Sequence, residues 1–251
     1  MVIKVLEKVF AILEFVASRQ GRPVLPAEIV QALDINQTTC IRLLKDLVEN
    51  GYLSQISRTR GYVTGPTAVW IGKNSLFQSQ LHSICEPILR DAAPRENISM
   101  LVAVRHGKYR VLICGCNAPT GVQLNMSLPR FPDLFCSATG IMLLAHTPAE
   151  ELTRLIPETV IPETPPWHAG ITRAEIDLKL YTVRTSGEFR HQAFGVEACA
   201  APIFSAGKLQ AALGGAWRAA LPAAQRDELA GKLRAVAATI SASLGDGLRH
   251  I

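Results

Sequence analysis

At 251 residues, with 48% hydrophobic and 19% charged side chains, the chain has the composition of a globular protein and not of a disordered one. The formal charge is +5 and the sequence pI about 9.0. Such a balance suits a polyanionic partner without requiring one, because residues 1–66 carry only +2 of that charge.

The N-terminus, MVIKVLEKVFAILEFVAS, has a charge at Lys4, Glu7, Lys8 and Glu14, so it lacks the unbroken apolar core of a signal peptide. No stretch reaches the uncharged length needed to span a bilayer, which sets the expectation of a cytoplasmic protein without a membrane partner. The six cysteines then read as reduced thiols, and Cys114 and Cys116 as two thiols on one face of a strand.

Apolar residues at Val5, Leu6, Val9, Ile12, Leu13 and Val16 have helical spacing. A short helix fits 27–33, Asp34-Ile35-Asn36 makes a tight turn, and Asn36 can cap a third helix that ends near Asn50-Gly51. At 100° per residue, Cys40, Leu43, Leu44, Leu47 and Val48 share one side of it. Thr38, Arg42, Lys45 and Glu49 share the other, with Thr39 at its edge. Two strand-like runs, YLSQI and GYVTG, flank SRTR, whose Arg58 and Arg60 give a hairpin with a basic tip. Helix, short helix, turn, helix and basic hairpin make a winged helix-turn-helix module over 1–66. The expected contacts to double-stranded DNA are Gln37, Thr38, Thr39, Arg42 and Lys45 in a major groove, with Arg58 and Arg60 along the phosphate backbone or the minor groove.

Residues 67–80 read as a linker helix. From 81 to 251 the pattern is α+β around a mainly antiparallel sheet. Helices are expected at 81–93, SATGIMLLAH, PAEELTRLI, TRAEIDLKLYTVRTSG and about 222–247. Strands are expected in ISMLVAVRHGKYRVLICGC, GVQLNMSL, VEACAAPIFS and KLQAALGGAW, and a proline-rich loop over 157–170. No GxSxG, HExxH, GxGxxG or phosphate-binding loop occurs, and no histidine pairs with a cysteine or acid at metal-ligand spacing. The chain is therefore expected to be no enzyme and to need no cofactor or metal. A thiol- or metal-responsive regulator using Cys114, Cys116, Cys136 or Cys199 is the alternative, and an enzyme in the C-terminal pocket a more remote one.

Four stretches, TTCIRLLKDLVENGYL, GYVTGPTAVWIGKN, LFCSATGIMLLA and GVEACAAPIFSAGKLQAALGGA, resemble the IclR family of bacterial transcriptional regulators over nearly the whole chain. The resemblance implies a homodimer or dimer of dimers on a near-palindromic operator. It also implies a GAF-like C-terminal domain whose bound metabolite, often a small carboxylate, an aromatic acid or a sugar-derived acid, alters DNA affinity, most often in a repressor. It assigns Ala138, Thr139 and Gly140 to the effector pocket's amide-rich segment and Ala198 and Cys199 to a pocket strand. Gly214 and Ala216 fall where many members have serines, which would make the pocket wider or more apolar. Phe135 and Ile141 replace the usual His and Lys. Arg190, in GEFRHQAFG, either clamps a carboxylate in the pocket or lies on the surface.

Overall fold

The computed structural model describes residues 4–19, 21–57, 59–73, 76–126, 129–156, 161, 163 and 167–247. The chain divides into two compact units, the first running to Ser79 and the second beginning at Gln80.

The first unit is a winged helix-turn-helix. Helices α1 (Lys4–Ala17), α2 (Pro26–Leu33) and α3 (Gln37–Glu49) precede the hairpin β1 (Leu53–Ser57) and β2 (Gly61–Thr64). Proline at the first position of α2 sacrifices no helical hydrogen bond, since that amide has no acceptor in any helix. Asp34 ends α2 in the left-handed region, at φ 49°. The Asn36 side chain then accepts a hydrogen bond from the Thr38 amide at 2.9 Å and starts α3. Cys40, Leu43, Leu44 and Leu47 are buried with Ile12, Val16, Val24, Ile29, Ile35 and Leu53, and Val48 is half-buried at the margin. The expected inner face of α3 is thus the core of this unit. Val24 and Tyr62 exchange two backbone hydrogen bonds of 2.8 Å, which tie the loop before α2 to the wing.

Helix α4 (Pro66–Lys73) leaves the wing through a crowded turn. The Gly65 amide donates to the Tyr52 carbonyl, the Thr67 amide to the Gly51 carbonyl at 3.0 Å, and the Thr67 hydroxyl to the Asn50 carbonyl at 3.0 Å. A Cβ at Gly65 would lie 2.3 Å from the Gly51 oxygen, so only glycine allows this approach. The segment read as one linker helix contains the end of α4 and the start of α5 (Leu76–Glu96), which runs on through the stretch expected as a separate helix.

The second unit holds one antiparallel sheet in the order β5-β4-β3-β8-β7-β6. Its strands are β3 (Ser99–His106), β4 (Tyr109–Cys116), β5 (Arg130–Phe131), β6 (Phe189–Ala193), β7 (Val196–Ser205) and β8 (Lys208–Arg218). Helices α5 and α9 (Ala223–Gly247) cover one face, where Cys199, Ala201, Ile203 and Leu213 meet Leu89, Leu233 and Ile240. Helices α6 (Ala138–Ala145), α7 (Ala149–Leu155) and α8 (Arg173–Ser186) cover the other, where Ala200 and Ala212 meet Ile141, Leu144 and Leu180. Cys114 and Cys116 do share the first of these faces.

GVQLNMSL does not form the expected strand over its described residues, 121–126. Side chains take the place of a strand partner there. Asn117 accepts from the Leu124 amide at 2.8 Å and donates to its carbonyl at 3.2 Å, and Gln123 donates to the Ala118 carbonyl at 2.8 Å. Most of the proline-rich stretch 157–170 lies outside the described residues.

Glu197 on β7 is buried and anchors the start of α9. It accepts from Gln192 Nε2 at 2.5 Å, Trp217 Nε1 at 3.2 Å and Arg226. Burial alone pushes its carboxyl pKa upward, but these hydrogen bonds and the Arg226 charge outweigh burial and hold it below the ordinary glutamate value. A depressed folded-state pKa means stability that is present above the unfolded value and lost as pH falls through the folded one. Glu197→Gln is therefore expected to cost about 2–3 kcal/mol near neutral pH. Urea denaturation should show the difference from wild type shrinking as the pH is taken below about 4.

Candidate effector cavity and nucleic-acid interface

Two constellations take shape, one in each unit. In the first, α3 turns Gln37, Thr38, Arg42 and Lys45 outward, all exposed, with Thr39 half-buried at the edge. Lys45 pairs with Glu49 at 3.6 Å across one helical turn, an exposed pair of small energetic weight. In the wing, Arg60 is exposed and its amide donates to the Ser57 hydroxyl at 3.0 Å, which shapes the tip. Arg58 lies outside the described residues. The bulge at Ile56, between the pairs Gln55↔Tyr62 and Ser57↔Gly61, lets the five residues of β1 oppose the four of β2.

In the second unit a cavity of about 220 Å³ opens between the sheet and the N-terminus of α6. Strand alternation decides its walls. Leu101, Gly214, Ala198 and Ala216 lie in register on the α6 face, as Leu101↔Gly214 and Ala198↔Ala216. Above them stand Ser137, Ala138 and Thr139. Ser137 caps α6, its hydroxyl accepting from the Gly140 amide at 3.2 Å and donating to the Asp133 carbonyl at 3.0 Å. The amides of Ala138 and Thr139 belong to the first turn of α6, where backbone N–H groups have no intrahelical acceptor and favour an anion.

Gly140 does not line the cavity. Its missing Cβ lets α6 approach the Leu134 carbonyl oxygen, which a Cβ would meet at 2.4 Å. Gly214 does not widen the cavity as expected, because the Thr139 methyl fills the space, 2.6 Å from where a Cβ would stand. Cys199 borders the cavity, but its side chain lies in the cluster beneath α9 with Ala201 and Ile203. Phe135 and Ile141 are core residues, and Phe135 packs against Trp167 with ring centroids 5.6 Å apart.

Arg190 does not line this cavity. It pairs in register with Cys199 and so faces α9, where it donates to Glu188 at 2.6 Å and Asp227 at 2.5 Å. Its neighbour His191, opposite Ala198, faces the cavity instead. Burial lowers the His191 pKa and keeps the imidazole neutral at pH 7. A cation does border the cavity, and sequence reading missed it. The buried Arg110 grips Asp133 with two hydrogen bonds, Nε at 2.8 Å and Nη2 at 2.6 Å, and stacks on Phe131 at 4.7 Å. Its partner lies 23 residues away, so no local pattern announces the pair.

The thiols are poorly placed for redox or metal chemistry. Burial raises the Cys199 pKa to about 12, and burial followed by the nearby Asp133 charge raises that of Cys136. Among the described residues no group of three His, Cys, Asp or Glu side chains could hold a metal ion. Cys136 is exposed, whereas Cys40, Cys85, Cys114 and Cys199 are buried. Brief alkylation of native protein at pH 7 is expected to label Cys136, more slowly than free cysteine, and to leave those four unlabelled by peptide mass spectrometry.

Comparison with known proteins identifies the family of both units. The profile of the IclR helix-turn-helix domain matches residues 5–57, and that of the bacterial transcriptional regulator IclR C-terminal domain matches 74–242. The chain belongs to the IclR family of bacterial transcriptional regulators. It is 29% identical over 154 residues to the HTH-type transcriptional repressor AllR of Klebsiella pneumoniae, covering 61% of this chain and 56% of that protein. It is 23% identical over 147 residues to the transcriptional repressor IclR of Escherichia coli, covering 58% and 53%. The matched stretches thus span little more than half of these relatives' own length. The fold is shared with the crystal structure of an IclR transcriptional regulator from Alicyclobacillus acidocaldarius, with a TM-score of 0.72, 22% identity and coverage of 98% and 100%. An IclR homologue from Microbacterium hydrocarbonoxydans, solved in complex with 4-hydroxybenzoate, gives a TM-score of 0.73 at 18% identity over 96% and 98%.

Proposed function

We propose that this chain is a DNA-binding transcriptional repressor whose operator affinity is set by a small organic acid in the cavity beside α6. The observation that carries the reading is the outward face of α3, where Gln37, Thr38, Arg42 and Lys45 stand exposed on a helix whose other side is wholly committed to the core. Those side chains match base edges and phosphates at the N-terminal end of a recognition helix, and Arg58 and Arg60 would follow the backbone from the wing. Residues 1–66 would be the DNA-binding domain, 67–80 a linker and 81–251 the effector domain. A cytoplasmic homodimer, or a dimer of dimers, would present two recognition helices to a two-fold operator.

The cavity supports a compact, largely apolar monocarboxylate over a sugar-derived acid. Its volume is that of about seven liquid waters at ~30 Å³ each. Leu101, Leu124, Ala198, Gly214 and Ala216 make most of the wall apolar, whereas the α6 amides, Ser137, Thr139, neutral His191 and the Asp133-paired Arg110 make one polar end. The 4-hydroxybenzoate held by the Microbacterium homologue is a ligand of this kind. Only a ligand that binds one arrangement of the protein better than the other can change DNA affinity.

Fluorescence anisotropy on duplexes selected from a random library tests the first half. Affinity should fall steeply, about 10³-fold for six phosphate contacts, between about 50 and 200 mM salt. Calorimetric titration with 4-hydroxybenzoate, benzoate and gluconate tests the second. Ala216→Phe, which fills the cavity, should abolish binding of the aromatic acids and leave DNA binding intact. Equal heats for gluconate and benzoate would contradict the apolar assignment.

A further inference from the structure

Ile41 stands on the outward face of α3, and 51% of it is exposed. Helical geometry places it with Thr38, Arg42 and Lys45 in a single arc of about 100°. Every other exposed residue of α3 is polar or charged: Gln37, Thr38, Arg42, Lys45, Asp46 and Glu49. The core of the unit is filled by Cys40, Leu43, Leu44 and Leu47 of this helix, and Ile41 is not among its buried residues. The helix does not call for it either, because a β-branched side chain supports an exposed helical position less well than Lys, Gln or Glu. A protein-docking patch would need apolar neighbours. Elsewhere in this unit exposed apolar residues gather in groups, Val5, Leu6 and Phe10 on α1 and Val69, Trp70 and Ile71 on α4, with Leu25 and Ile56 standing singly, whereas the exposed helical neighbours of Ile41, Gln37, Thr38 and Lys45, all carry hydrogen-bonding side chains.

We propose that Ile41 reads the 5-methyl group of a thymine in the major groove, making it a specificity-determining residue of the recognition helix. The inference rests on the DNA-binding reading above. An aliphatic side chain can neither donate nor accept a hydrogen bond. Of the features that base pairs display in the major groove, it matches only the thymine methyl. Arg42 and Lys45 hold the helix in register by their charge, and Ile41, beside Lys45 at the edge of the arc, supplies apolar contact at one base pair. A cytosine there would replace the methyl with a bare ring edge and leave the outward N–H of its amino group without an acceptor against the isoleucine.

The test uses the full-length protein and the duplex it enriches from a random library. Each thymine is replaced in turn by deoxyuridine, which removes the methyl group and keeps the base pair. One replacement should weaken wild-type binding about 3- to 5-fold, the effect of one buried methyl. Ile41→Ala should bind the parent duplex more weakly by at least that factor and be indifferent to the same replacement. Ile41→Val should retain part of the sensitivity. The variants remove an exposed side chain, and unchanged affinity for an unrelated duplex shows that the unit is folded. If wild type tolerates every replacement, or if Ile41→Ala keeps its sensitivity, the inference is overturned while the regulator reading stands. If no sequence is enriched and Arg42→Ala binds as wild type does, both are overturned.

Discussion

Gly61→Ala is expected to destabilise the winged module strongly, to the point of local unfolding, and to leave the second unit standing. Gly61 begins β2 at φ +90°, a backbone conformation that costs a residue with a Cβ about 1–3 kcal/mol. The added Cβ would also lie 2.3 Å from the Val24 carbonyl oxygen, part of the two-way hydrogen bond between Val24 and Tyr62. Backbone cannot rotate away as a side-chain tip can, so relief requires breaking that bridge. The combined loss is about 3–5 kcal/mol, a large part of the roughly 4–12 kcal/mol that a unit of this size holds at ~0.05–0.15 kcal/mol per residue. Hydrogen exchange on the full-length variant should show lost protection across α1, α3 and the wing, with β7 and β8 protected as in wild type. Gly170→Ala offers a control. It also has positive φ, but a Cβ there meets nothing within 4 Å, so its effect should stay near 1 kcal/mol.

Arg42→Ala is expected to lower affinity for an enriched duplex by about 1–3 kcal/mol, roughly 5- to 150-fold, without changing the thermal stability of the protein. The side chain is exposed and makes no contact in the core of the unit, so its removal costs the fold nothing. The salt dependence tells which role it plays. If Arg42 holds a phosphate, the slope of log affinity against log salt falls by about one; if it grips a guanine edge, the slope holds and sequence preference relaxes at one position. An affinity equal to wild type at all salt concentrations would remove Arg42 from the interface.

Much of this architecture is written locally. The Asn36 cap, the heptad-like burial of Cys40, Leu43, Leu44 and Leu47, and the whole of β7 can be read from spacing, because each depends on neighbours within a turn or two. The effector cavity is harder. GEFRHQAFG conceals β6, a five-residue edge strand with polar residues and no apolar alternation to mark it. Without the strand, the facing of its side chains cannot be assigned, and a one-residue change of face exchanges Arg190 for His191. Arg110 escaped for a different reason. Its significance depends on Asp133 and Phe131, reached only when β4 pairs with β5. The glycine at 214 shows the same limit, since its meaning lies in the Thr139 methyl it accommodates and not in an emptier cavity.

The turn into α4 has a mechanical consequence. Gly65 and Thr67 are bonded to Asn50, Gly51 and Tyr52, the residues that end α3 and open the wing. The root of α4 is therefore clamped to the C-terminal end of α3 with no slack residue between them. A twist applied to α4 arrives at Arg42 and Lys45 as rotation of a rigid shaft, undiminished by play in a joint. Longer spacers from glycine and serine at this turn would act as a slipping clutch, preserving the grip of a single module on DNA while uncoupling it from whatever turns the helix.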